Sequence, residues 1–223
     1  MNNLNILYED NHIIVVIKPE NILVQEDNTK DESLNKMLKD YLKKKYNKPG
    51  NVYLGVVHRL DRPVGGIMVF ARTSKASKRL TDTIKNHQIK KNYLCITEGN
   101  MKSEDTLINY IGRNNKVSFI TNEDNGKYAE LSYKVIKRVD NYNLVKIDLK
   151  TGRHHQIRVQ LSSIGHPIYG DQLYGKENKK QICLFAYHLE FIHPTTKELL
   201  KFTYYPKGNM WDKFDISSIQ GEL

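Results

Sequence analysis

The run Ile13-Ile14-Val15-Val16-Ile17 is apolar without a break and β-branched throughout, and Pro19 stops it just after Lys18, so it reads as a buried strand. Ser33 then offers a helix cap. Leu34, Met37, Leu38, Tyr41 and Leu42 recur at steps of three and four, while Lys36, Lys39, Lys43, Lys44 and Lys45 lie mostly on other faces. That spacing predicts an amphipathic helix ending before Pro49-Gly50. A second strand is expected over residues 66–72, followed by a helix opened by Thr73-Ser74 with Ala76, Leu80 and Ile84 on one side. A third strand follows over 92–97. Strands over 117–121 and 129–139 flank the turn-rich Asn122-Glu123-Asp124-Asn125-Gly126, and the alternation of Leu131, Tyr133 and Val135 predicts antiparallel pairing, continued over 143–149. After Thr151-Gly152, the residues Ile157, Leu161 and Ile164 mark a helix closed by Gly165. Strands over 182–192 and 199–205 complete the pattern. Hairpins dominate and no regular βαβ alternation occurs, so the expected class is α+β, with a mixed, largely antiparallel sheet and flanking helices. No repeat or low-complexity linker interrupts the pattern, and residues 1–223 are expected to form a single domain.

Composition adds a partner class. The 35 Lys and Arg against 25 Asp and Glu give a formal charge of +10, which favours a polyanion such as nucleic acid, although a Lys- and Asn-rich composition alone produces the same sign. No apolar run approaches the roughly 20 residues of a membrane helix, and the first ten residues lack a basic stretch followed by an apolar one. A cytoplasmic, soluble protein without membrane contact is expected. Cys95 and Cys183 each lie in an apolar stretch, which suits small buried thiols and supplies neither a redox motif nor a thiolate metal site.

Three polar clusters stand at element junctions. In His58-Arg59-Leu60-Asp61-Arg62-Pro63 one carboxylate stands between two guanidiniums, an arrangement expected to keep it ionised; a surface salt-bridge turn is the plainer reading of this segment alone. In Gly152-Arg153-His154-His155-Gln156-Ile157-Arg158 a glycine break leads into a helix start dense in donors, suited to a phosphate or a carboxylate. His154 and His155, if helical, point about 100° apart and cannot share a metal as an i, i+4 pair would, so no metal site is expected. Lys90-Lys91-Asn92-Tyr93 places an aromatic among lysines at a strand start, which suits either base stacking or a core tyrosine.

Together and in this order the clusters resemble the RluA-type pseudouridine synthases, which isomerise uridine in RNA. His58 to Arg62 is similar to the family's HRLDR signature, Lys91-Asn92-Tyr93 to its K-x-Y element, and Gly152 to Arg158 to its GRxHQIR element. The likeness extends from Tyr8-Glu9-Asp10-Asn11-His12 and Lys18-Pro19 to Gly165-His166-Pro167-Ile168-Tyr169-Gly170-Asp171. Two departures are Pro63-Val64-Gly65-Gly66, where x-T-S-G is common, and His154 in place of a frequent Thr; neither removes a residue with a chemical role. The resemblance implies the pseudouridine synthase catalytic fold in a minimal form without an S4-like RNA-binding domain. It implies Asp61 as the catalytic carboxylate, Arg158 as its ion-pair partner, and Tyr93 stacking on the uracil and assisting late removal of the C5 proton. Arg59 would fill the space of the flipped base, and Arg62, Lys91, Arg153, His155 and Gln156 would contact RNA, ribosomal or transfer. It implies no cofactor, no obligatory protein partner and a monomer.

The chemistry constrains the site in its own terms. Turning uridine into pseudouridine breaks the C1′–N1 bond, rotates the bound uracil and joins C5 to C1′, which calls for a carboxylate beside sugar and base. Asp61 is the only acidic residue in the three clusters. Whether it attacks C1′, adds to the base or removes a sugar proton, it acts ionised. A base-excising glycosidase is disfavoured because ordinary glycoside hydrolysis uses two carboxylates. A non-catalytic RNA-binding module leaves Asp61 unexplained, since an acid in a phosphate-facing cleft weakens binding.

Overall fold

The computed structural model describes residues 4–29, 31–175 and 180–222. The chain divides into two compact units: the residues up to Ile89 together with His188–Tyr204, and Lys90–Tyr187 together with the residues from Tyr205 on.

The first unit is built on β1 (Asn5–Glu9), β2 (Ile13–Lys18), β3 (Gly55–Val56) and β4 (Gly65–Ala71). Every residue of β2 and β4 is buried, as an unbroken apolar run requires. They pair antiparallel from Ile13 opposite Ala71 to Lys18 opposite Gly66; β1 covers the other edge of β2, with a bulge between Ile6 and Tyr8, and β3 pairs with β4. Helix α1 (Leu34–Lys45) begins where Ser33 Oγ accepts from the Lys36 N–H, and it buries Leu34, Leu38 and Leu42 as the spacing predicts. Helix α2 (Ser74–Lys85) is capped by Thr73, whose Oγ1 accepts from the Ala76 N–H, and buries Ala76 and Leu80. The later strand β10 (Leu184–Ile192) enters this unit at His188 and pairs antiparallel with β11 (Leu199–Thr203).

The second unit orders its strands β5 (Lys90–Glu98), β9 (Tyr142–Leu149), β8 (Lys127–Val139), β6 (Glu104–Asn114) and β7 (Val117–Thr121), each pair antiparallel. Ala129, Leu131 and Tyr133 alternate inward on β8, and α3 (Gln156–Ser163) lies on that face, where Val159 packs with Ile111 and Ala129. Gly165 ends α3 at φ +83°: its N–H donates to Ser162 O and the His166 N–H to Leu161 O, a glycine-terminated stop. Cys95 and Cys183 are both buried free thiols. The α+β class with largely antiparallel pairing is what the pattern predicts; a parallel contact is the isolated bridge Leu23–Ser33.

Three strands escape the sequence reading: β1, β3 and β6. In β6 the alternation is masked because Asn109 occupies an inward position, where it accepts from Gln160 Nε2 at 2.7 Å, while Ile108 faces out and is 56% exposed.

Candidate active site

In the first unit, the chemistry-bearing residues sit on the turn between β3 and β4. The Val64 N–H closes it by donating to Asp61 O at 3.0 Å, and His58 Nε2 accepts from the Val69 N–H of β4 at 3.0 Å. Beneath it lies Lys18, the last residue of β2 and without solvent exposure. Its Nζ donates to Pro19 O at 2.9 Å, Arg62 O at 2.9 Å and Val64 O at 2.7 Å, matching all three donors of an ammonium. Burial pushes Lys18 down to about 7, against the raising charges of Asp61 and Glu20. The turn carrying Asp61 is thereby bolted to the strand core, and Asp61 itself stays part-exposed. Arg59 is exposed and donates through Nη2 to Gln25 Oε1. Arg62 donates through Nε to Asn21 O at 3.2 Å and pairs with Asp31 at 2.7 Å, so its charge is drawn to its own side of the turn.

In the second unit, Tyr93 stands opposite Ile147, which stands opposite Tyr133, so Tyr93 shares the sheet face that α3 covers. It is 7% exposed. Lys91, two residues earlier, points to the same face; a Cβ built on Gly152 would lie 3.4 Å from its Nζ, and burial lowers its pKa. The loop 151–155 is braced from within by Gln156. Its Oε1 accepts from Thr151 Oγ1 at 2.8 Å and from the Arg153 N–H at 3.0 Å, and its Nε2 donates to Glu130 O at 3.1 Å. Gln156, an RNA contact by resemblance, is 3% exposed and its amide serves the loop. Arg153 is exposed, with Nε donating to Tyr128 O at 2.7 Å.

His155 precedes the helix at φ +53°, in the left-handed region, so the two imidazoles are not splayed as on a helix. They stack, with centroids 3.7 Å apart. His154 Nδ1 lies 2.9 Å from Ser118 Oγ and His155 Nδ1 2.9 Å from Tyr174 Oη. Among the described residues no group of three or more His, Cys, Asp or Glu is placed to hold a metal ion.

Arg158 is buried on α3 and forms a two-pronged pair with Asp171: Nε to Oδ2 at 2.8 Å and Nη2 to Oδ1 at 2.8 Å. Burial alone would raise the Asp171 pKa, but Arg158 and the N–H groups of Leu173 and Tyr174 outweigh it and hold the carboxyl below its ordinary range. Lys18 and Asp171 carry structural roles that single-residue reading did not find. The signal available for each was its position, a lysine closing an apolar run before proline and an aspartate after Tyr169-Gly170.

The geometry has parallels in known proteins. A family model described as RNA pseudouridylate synthase matches residues 12–163. Ribosomal large subunit pseudouridine synthase D of Zymomonas mobilis is 32% identical over 215 residues, covering 89% of this chain and 68% of that protein. An uncharacterized RNA pseudouridine synthase of Aquifex aeolicus is 36% identical over 219 residues, covering 89% and 68%. Among solved structures, human RNA pseudouridylate synthase domain containing 1 is similar with a TM-score of 0.74 at 26% identity, over 92% of this chain and 84% of that one. Human RNA pseudouridylate synthase domain containing 4 shares the fold, with a TM-score of 0.79 at 21% identity over 94% and 90%.

Proposed function

The chain belongs to the RNA pseudouridylate synthase family and is an RNA uridine isomerase, and from that premise we propose that it acts on particular uridines of large-subunit ribosomal RNA with Asp61 as the reacting carboxylate. The observation that carries the reading is the seat of Asp61: a part-exposed acid on a turn whose carbonyls are gripped by a fully buried ammonium. A rigid turn presenting one carboxylate suits a reaction that must hold a group in register while the base detaches and rotates. Asp61, ionised, works beside C1′; the C1′–N1 bond breaks, N1 ends protonated, and C5 joins C1′ and loses its proton. Arg158, whose Nε and Nη2 serve Asp171, supplies the reaction's guanidinium.

Tyr93 forms the uracil's stacking wall and assists departure of the C5 proton. Arg59, on the exposed edge of the turn, fills the gap of the flipped nucleotide, and Arg62, Lys91, Arg153 and His155 hold phosphates. The naming of several relatives as large-subunit enzymes supports ribosomal over transfer RNA. Mapping pseudouridines in RNA from cells with and without this gene tests it: a large-subunit uridine that loses its modification supports the reading, and a loss confined to transfer RNA overturns the choice of RNA.

A further inference from the structure

In the first unit, the end of α1 carries a tyrosine that is held in place and left open to solvent. Tyr46 follows the helix directly and is 43% exposed. Its hydroxyl donates to Glu9 Oε1 at 2.6 Å, and the Arg72 guanidinium lies over its ring, with the carbon 4.7 Å from the centroid. Glu9, the last residue of β1, has a side chain only 8% exposed and gathers three further donors: Tyr41 Oη and Lys45 Nζ at 2.9 Å each, and Arg72 Nη1 at 3.2 Å. The backbone around the ring is also fixed. Asn47 takes the left-handed region at φ +48°; its N–H donates to Lys44 O at 3.4 Å and the Lys48 N–H to Lys43 O at 3.1 Å, which closes the helix end. Lys43, Lys44 and Lys48, all exposed, are thereby held on either side of Tyr46 along the chain. Lysines in a last helical turn ordinarily complement the helix dipole. The dipole accounts neither for Lys48, which lies past the helix end, nor for an exposed ring anchored on a buried carboxylate. The carboxylates at this place are Glu9, engaged by its four donors, and Asp40, exposed on α1, so the cations prevail.

We propose that the end of α1 is a second RNA-docking surface, where an unpaired base stacks on Tyr46 and Lys43, Lys44 and Lys48 hold the phosphates that flank it. The proposal rests on the RNA substrate of the reading above and adds a point of hold to it. A ring already immobilised loses little side-chain freedom on stacking, and lysines supply charge without reading sequence, so the surface takes single-stranded RNA of any sequence. An acidic protein segment would use the lysines and leave the ring idle.

The test is the affinity of the full chain for a single-stranded RNA and for large-subunit ribosomal RNA, titrated from about 50 to 200 mM salt, with thermal melts as the folding control. Tyr46→Leu is expected to weaken binding of both RNAs by about five- to a hundredfold, the range that loss of one stacked base covers. Tyr46→Phe, which keeps the ring, binds within twofold of wild type. Changing Lys43, Lys44 and Lys48 together to Gln lowers the slope of log affinity against log salt by about two, at about 0.7 per phosphate contact on a single strand. At saturating RNA, kcat stays within twofold of wild type in all three variants. Binding by Tyr46→Leu within twofold of wild type overturns the proposal, and so does an equal loss in Tyr46→Phe. An effect of the lysine change alone also overturns it, in favour of a surface for an acidic protein segment. If Tyr46→Leu does not fold, photocrosslinking of the wild-type chain to RNA carrying 4-thiouridine decides: a crosslink on Tyr46 upholds the proposal, and none there overturns it. A wild type that binds through Tyr46 but isomerises no uridine of large-subunit RNA refutes the choice of RNA above and leaves the docking surface standing; isomerisation with normal binding by Tyr46→Leu refutes the docking surface alone.

Discussion

Lys18→Met separates the stability of the fold from the seating of Asp61. The variant removes the donor from three carbonyls, those of Pro19, Arg62 and Val64. Leaving each buried acceptor unserved costs ~1–3 kcal/mol, so the loss is ~3–9 kcal/mol. The offset is the relief of burying an ammonium: a fall from the ordinary 10.5 to about 7 corresponds to ~5 kcal/mol at ~1.4 kcal/mol per pH unit. The two nearly cancel, and the net change in stability is expected to stay within ~4 kcal/mol of zero. The sign with pH is definite. Because the folded value lies below the unfolded one, the unfolded chain alone holds the proton between about pH 7 and 10.5, so this group's contribution to stability rises with pH through that window.

Urea unfolding at pH 7 and pH 9 reads it: wild type is expected to gain on Lys18→Met by ~1.4 kcal/mol per pH unit. Catalysis responds differently, since a turn that shifts by an ångström misplaces Asp61 and costs ~10²-fold in rate. Single-turnover isomerisation by the folded variant, with RNA affinity within threefold of wild type, is the matching assay. A rate within threefold of wild type would show that Lys18 does not seat Asp61, and equal pH slopes for the two proteins would show that its burial does not set the pH dependence of stability.

Gln156→Leu strips three hydrogen bonds from the loop 151–155 and is expected to cost ~2–4 kcal/mol of stability; an unchanged melt would show that the loop stands without its brace. RNA affinity is expected to fall steeply and alike for target and non-target RNA between about 50 and 200 mM salt, by ~10³-fold if about six phosphates are contacted. The rate, not the affinity, should discriminate between those RNAs, and a large target preference already present in binding would contradict this.

Much of this was legible in the chain because local signals agreed with tertiary ones. Ser33 and Thr73 cap the helices their side chains predict, and the β-branched run of β2 is as buried as its composition demands. The rest depended on partners distant in sequence. That Lys18 is an interior residue follows only once Arg62 and Val64 bring their carbonyls to it, 44 and 46 residues away. The inward Asn109 of β6 is explained by Gln160 of α3, so alternation alone could not reveal that strand. A helical spacing splays His154 and His155, whereas a left-handed residue at position 155 places them before the helix and stacks them. Asp171 shows its part only through the geometry of its two bonds to Arg158.

In the function proposed above, Asp61 serves an isomerisation rather than a cleavage. Large-subunit ribosomal RNA from cells lacking the gene, labelled with tritium at uridine C5, is the substrate that tests it. Wild type should release tritium and form pseudouridine in equal amounts with no free uracil, and Asp61→Asn should bind the RNA within threefold while releasing none. Free uracil, or turnover by Asp61→Asn within tenfold of wild type, would contradict the account.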